Sequence, residues 1–256
     1  MDQQAITTLL AAPTLPDDIP SAVRKLSDQA ASIPAPETAD FLWDVFNAVF
    51  DAAGQAPSEK HITSLVELLV QLRKTEVKDP ATGEARTYDD GKVWTDLPSF
   101  GWVARDLWNF DASQVEGEKL AKLERQTELL ARLTALADVK DPKDPFNYSN
   151  YALWALRDAF ECAGEGAGAS SAVRLAAPWV VISGKSLWSL SEQEVQLHEN
   201  TGVGGEKYGE KGWRGFGKAR WTVWRDGFVA AQAEAKGEEV KAVAGRAAEV
   251  MRGLEK

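Results

Sequence analysis

The chain says one thing twice. Leu153-Trp154, then Phe160-Glu161, then Ala163-Gly164 repeats the pattern of Leu42-Trp43, Phe50-Asp51 and Ala53-Gly54. The flanks repeat in the same order. Val173, Leu175, Trp179 and Val180 follow Thr63, Leu65, Leu69 and Val70 by 110 positions. Phe216-Gly217 with Trp224 follows Phe100-Gly101 with Trp108 by 116. Each copy ends in a long amphipathic stretch, Leu120–Ala137 in the first and Val240–Leu254 in the second. Four elements recurring in order point to a duplicated helical unit. Two copies are fewer than an extended solenoid needs, so the expectation is two four-helix repeats packed as one compact bundle. The boundaries expected are 1–36 for an N-terminal arm and amphipathic helix, 37–140 for repeat 1, and 145–256 for repeat 2.

Residue spacing assigns the elements. Pro13, Pro16 and Pro20 leave residues 1–20 as a tethered or loose arm, because proline removes a donor and disfavours helix before it. A first helix runs from Ser21 to Pro34. In repeat 1, Leu42, Val45, Phe46, Val49 and Ala53 share one helical face, and a second helix starts near Ser58. Residues 75–92 read as a polar, turn-rich excursion, and a third helix follows Pro98. Ser113 with Glu116, and Ser191 with Glu194, fit capping boxes; the second would open a short helix through Val195 and Leu197. In repeat 2 a small-residue loop, Glu165–Ser170, follows Gly164, and Pro178 is expected to kink or split the helix it sits in. No alternating β-branched run and no Asn-Gly hairpin appears. The fold class is all-α.

Charge and composition exclude several classes. The net charge of −10 repels phosphate backbones and anionic lipid, so neither nucleic acid nor membrane is expected as a partner. The single cysteine, Cys162, cannot form an internal disulfide, and no run of about 18 apolar residues spans a bilayer. The expectation is a soluble, cytoplasmic protein, with homodimerisation left open.

Local catalytic signatures are missing. There is no Gly-x-Ser-x-Gly, phosphate loop, His-Glu-x-x-His or dinucleotide fingerprint. His61 and His198 have no ligand-spaced partners, so neither metal nor cofactor is expected. Cys162 lies in a core-type helix, where a free thiol behaves as a small hydrophobe.

Two stretches remain as candidates. Asn200–Arg220 carries seven glycines with Lys207, Lys211, Arg214 and Lys218. Such a loop can bring backbone N–H groups to an anion at a helix start; the plain alternative is a solvated connector. Trp102, Arg105 and Trp108 in one copy, and Trp213, Arg220 and Trp224 in the other, bring together the residue types of binding hot spots and cation–π stacking. They would line a ligand groove between the repeats, unless the tryptophans are packing and the arginines pair with nearby acids.

The Leu153–Glu161 motif after Asn150-Tyr151, with the earlier Phe41-Leu42-Trp43 helix and the Phe-Gly/Trp segments, resembles a mostly fungal family recorded as a domain of unknown function. The resemblance spans roughly residues 40–250. It implies an intracellular, all-helical protein and supplies no activity, ligand or catalytic residue. The leading functional expectation is a non-catalytic binding module for a small ligand or a protein partner, working through the Trp/Arg groove. The alternative is a cofactor-independent enzyme acting on a small metabolite, with Asp106 or Asp226 as acid or base beside Arg105 or Arg225.

Overall fold

The computed structural model describes residues 3–11, 15, 18–163 and 169–256. Pro13 and Pro16 of the expected arm, Gly164, and residues 165–168 of the small-residue loop lie outside them. The described residues form ten α-helices and one two-stranded hairpin, an all-α protein. The chain divides into two compact units, Met1–Phe110 and Asp111–Lys256.

Unit 1 holds α1 (Gln3–Ala11), α2 (Ile19–Ser32), α3 (Thr38–Gly54), α4 (Glu59–Arg73) and α5 (Phe100–Leu107). Its centre is α3, whose Leu42, Val45, Phe46, Val49 and Ala53 are buried as their spacing requires. The opening residues are no loose arm over α1. Ile6 and Leu10 are buried, α1 packs on α3, and His61 Nε2 lies 3.1 Å from the Leu10 carbonyl. That contact gives the buried His61 a structural task.

An aromatic cluster fills the rest of unit 1. Phe100 stacks on Phe50 with centroids 5.0 Å apart and meets the edge of Phe46 at 5.1 Å, and Trp94 caps Phe41 and Phe46 at 6.0 and 6.3 Å. Trp94 reaches its place in left-handed backbone, φ 69°, as do Leu97 and Ser99 nearby. Such conformations cost about 1–3 kcal/mol each. Burial of the whole Trp94 side chain opposes that cost.

The excursion 75–92 contains structure the sequence pattern did not reveal. β1 (Thr87–Tyr88) pairs with β2 (Gly91–Lys92) across Asp89-Asp90, both at positive φ. This is a two-residue hairpin turn made by two aspartates in place of Asn-Gly, since Asp also tolerates left-handed backbone.

Unit 2 is organised around α8 (Ser170–Glu192), against which α6 (Gly117–Leu136), α7 (Ser149–Phe160), α9 (Lys218–Glu234) and α10 (Glu238–Leu254) pack. A helix buried on most sides must be apolar or small nearly all round, and α8 buries Ala172, Val173, Ala176, Trp179, Val180, Ser183, Gly184 and Leu187. Arg174 clamps its neighbours, bonding both oxygens of Glu124 at 2.6 and 2.7 Å and Glu239 at 2.8 Å.

Three local expectations are corrected. Pro178 lies within α8 without splitting it; the surrounding helices hold the chain where one backbone bond is lost. Ser191 opens no new helix. It is the last turn of α8, with its hydroxyl donated back to the Leu187 carbonyl at 2.9 Å, as serine inside a helix does. Ser113 does not cap α6, because its N–H and hydroxyl both bond Asp111, and Glu116 occupies the cap position instead.

The helices that carry the echo follow in the same order in both halves, α3 to α6 and α7 to α10. The boundary between the two compact units falls before α6, and α6 packs on α8.

Candidate functional site

The site grows from the end of α8. Glu194, at φ 52°, turns the chain back. Val195–Leu197 then runs extended against Arg214–Phe216, where a short helix was expected: Phe216 N–H donates to the Val195 carbonyl and Leu197 N–H to the Arg214 carbonyl, both at 2.9 Å. The glycines between are demanded by close approach. A Cβ on Gly215 would lie 2.1 Å from the Val195 oxygen, and one on Gly202 would lie 2.1 Å from the Arg214 oxygen.

Beneath the loop lies Glu161, the residue that ends the organising helix. It is fully buried, and so is Arg220. Arg220 Nε donates to Oε1 at 2.7 Å and Nη2 to Oε2 at 2.9 Å. Trp224 Nε1 donates to Oε1 at 2.6 Å, and the Gly205 N–H to Oε2 at 2.8 Å. The remaining guanidinium hydrogens go to the carbonyls of Gly202 at 2.7 Å, Gly215 at 2.9 Å and Val203 at 3.1 Å. All five N–H donors of the arginine are thus used. Its plane lies 5.5 Å from the Trp213 ring centre and 5.4 Å from that of Trp224. A buried charge pair recovers its desolvation cost only with such complete bonding.

The sequence-derived candidates are thereby sorted. Trp213, Arg220 and Trp224 do come together, and what they enclose is Glu161. In unit 1, Trp102 is half-exposed at 51% and Arg105 is exposed on α5. Trp108 packs on Phe110 at 5.7 Å. Lys207, Lys211, Arg214 and Lys218 all project as exposed side chains from the loop. Glu206 and Glu210 alternate with Lys207 and Lys211 on the turn Glu206–Lys211, so the local cationic excess concentrates at Arg214 and Lys218. These two line a cavity of about 160 Å³ with Glu194, Gln196 and Trp213 at the start of α9. The helix cap there is Gly217, which offers no side chain to the first N–H groups.

Glu161 is the residue that sequence reasoning passed over. Its signal was present: it falls eight positions after Leu153, on the same helical face, where an acid must find a buried partner. Its neighbour Cys162 is half-buried, and burial, followed by the charge of Asp158, pushes the thiol up. A thiol so placed carries little thiolate, the nucleophilic form. Burial also raises Asp158, against the opposing pull of Arg157. Asp226 is exposed and bonded to Arg225, which also holds Glu255 at 2.6 Å. Among the described residues, no three His, Cys, Asp or Glu gather as a metal ion would require, and no helix is long and apolar enough to cross a membrane.

Residues 46–228 match the model of a family described as protein of unknown function (DUF3632), and the chain belongs to that family. Searches of curated proteins and of solved structures return no match.

Proposed function

We propose that this member of a family of unknown function is a non-catalytic binding module that takes a small anionic ligand, a carboxylate or phosphate, at the start of α9. One observation carries the reading. Arg214 and Lys218 stand exposed beside a cavity at an uncapped helix N-terminus, on a loop fixed from below by the Glu161–Arg220 pair. Free first-turn N–H groups and the helix dipole favour an anion there. The buried pair supplies preorganisation, so little ordering entropy is lost on binding. Trp213 forms an apolar wall for whatever bears the charge.

The enzyme reading has less behind it. Asp106 is exposed and Asp226 is paired at the surface. Asp158 has the raised affinity for a proton that an acid catalyst needs, but it does not line the cavity.

Thermal unfolding with inorganic phosphate and with citrate tests the proposal. An anion present at 100 times its dissociation constant adds about 2.7 kcal/mol. The gain should shrink with added sodium chloride and vanish in Arg214→Ala/Lys218→Ala. An equal gain in that variant, or no gain from either anion in the native chain, defeats it.

A further inference from the structure

A second site lies in unit 1, independent of the anion cavity. A groove of about 410 Å³ runs between α2 and the segment Thr75–Lys78. On one wall, Val23, Ser27 and Ala31 follow at intervals of four residues, and Pro20, Arg24 and Asp28 form the neighbouring row. Eight residues of helix rise about 12 Å. The opposite wall is a strand edge. Val77 accepts from Arg86 N–H at 2.7 Å, Asp79 N–H donates to Glu84 at 2.9 Å, and Lys78 stands opposite Ala85. Backbone groups alternate sides along a strand, so those of Glu76 and Lys78 lie on the other edge. Among the described residues neither makes a backbone hydrogen bond there. Thr75 to Lys78 in extended form spans about 10 Å, close to the length of the helical wall.

The two walls are tied together. The buried Arg86 donates to the carbonyls of Ile33 at 2.6 Å and Ala31 at 3.3 Å, and to Thr38 Oγ1 at 3.2 Å, fixing the strand to the end of α2. Charge is mixed on both walls, Arg24 with Asp28 and Lys78 with Glu76.

We propose that this groove binds an extended peptide bearing both an acidic and a basic side chain. The peptide adds to the Glu76–Lys78 edge as a further strand and lies along α2. A free edge beside a helix suits an extended chain because the main chain supplies affinity and alternate side chains supply selectivity. The opposed charges on the walls set its composition.

The test uses the full-length, ¹⁵N-labelled chain and the blocked peptide acetyl-Glu-Val-Thr-Val-Lys-amide. Saturable shifts of the Glu76 and Lys78 amides below about 1 mM peptide are expected, with their hydrogen exchange slowed roughly tenfold. The same peptide N-methylated at alternate residues cannot donate to the edge and should bind at least about tenfold more weakly. Val23→Trp, which enlarges a partly exposed side chain on the α2 wall and narrows the groove, should abolish the shifts while circular dichroism stays native. Equal binding of the N-methylated peptide, or no shift at about 1 mM, overturns the proposal. Shifts of those amides that follow protein concentration without peptide also overturn it, since they assign the edge to a second copy.

Discussion

Two stretches that echo each other in sequence are packed with opposite chemistry. Asp51 and Glu161 occupy matching positions, as do Ala104 and Arg220, four residues after Phe100 and Phe216. In unit 1 Ala104 is fully buried, one helical turn after Phe100, which stacks on Phe50. In unit 2 the matching position holds a buried guanidinium, bonded to a buried carboxylate and three backbone carbonyls. The aromatic cluster is nondirectional and graded: each lost methylene weakens it a little. The ion-pair cluster is directional and all-or-none: each member is tolerable only because the others are present. Unit 1 therefore gains a core, while unit 2 gains a core and a loop of fixed shape above it.

Breaking that difference should give the largest effect. Glu161→Gln leaves Arg220 buried without its counter-charge and should cost about 3–5 kcal/mol. Phe100→Leu trades a buried ring for a smaller aliphatic side chain in unit 1 and should cost about 1–2 kcal/mol through lost volume and ring contacts. Urea unfolding of both variants makes the comparison. A loss below that of Phe100→Leu for Glu161→Gln would show that the pair is not the keystone of the loop. The double variant Glu161→Met/Arg220→Met sharpens the point. It removes the unpaired charge yet strands the carbonyls of Gly202, Val203 and Gly215 and the Trp224 indole N–H. It should therefore recover only part of the loss, and limited proteolysis should now cut between 202 and 217.

The same contrast explains what the sequence disclosed. Helix positions and the all-α class were legible because apolar spacing is a local signal: α3, α4 and α5 begin and end close to where Leu42, Ser58 and Pro98 place them. The Asp89-Asp90 hairpin was hidden because its turn chemistry is made by residues equally common on any surface. The unit boundary was hidden because nothing in α6 itself says which helix it will pack on. Trp154 is half-buried with its indole N–H on the Thr201 carbonyl at 2.9 Å, a contact that no local spacing announces. The loop was visible as an anomaly of glycine and charge, but the reason for its glycines was not. That reason is close approach between residues some way apart in the chain, Gly202 with Arg214, Gly215 with Val195 and Gly205 with Glu161.

Within the loop the glycines divide by what surrounds them, which gives the next effect in size. Gly215→Ala drives a methyl into the Val195 carbonyl and should cost about 1–3 kcal/mol, as overpacking does. Gly209 has nothing within 4 Å of a built Cβ and no positive φ, so Gly209→Ala should stay within about 0.5 kcal/mol. Equal costs at the two positions would mean that the loop owes its glycines to flexibility, not to the close approach over Glu161.

The smallest effect belongs to the rim. Lys207, Lys211, Arg214 and Lys218 are exposed, and changing any one to Ala should alter stability by no more than about 0.5 kcal/mol. Changing all four moves the net charge from −10 to −14, since four positive charges are removed. Added self-repulsion then destabilises the compact state a little more. Screening separates this loss from that of the buried pair. Near 1 M salt the Debye length falls to about 3 Å, so the deficit of the four-site variant should largely disappear. The deficit of Glu161→Gln should persist, because the charge it strands lies where counter-ions do not reach. Unfolding both variants at low and high salt therefore distinguishes a charge that shapes the loop from charges that the loop displays. If the two deficits fade alike, the loop is held at its surface and not from below.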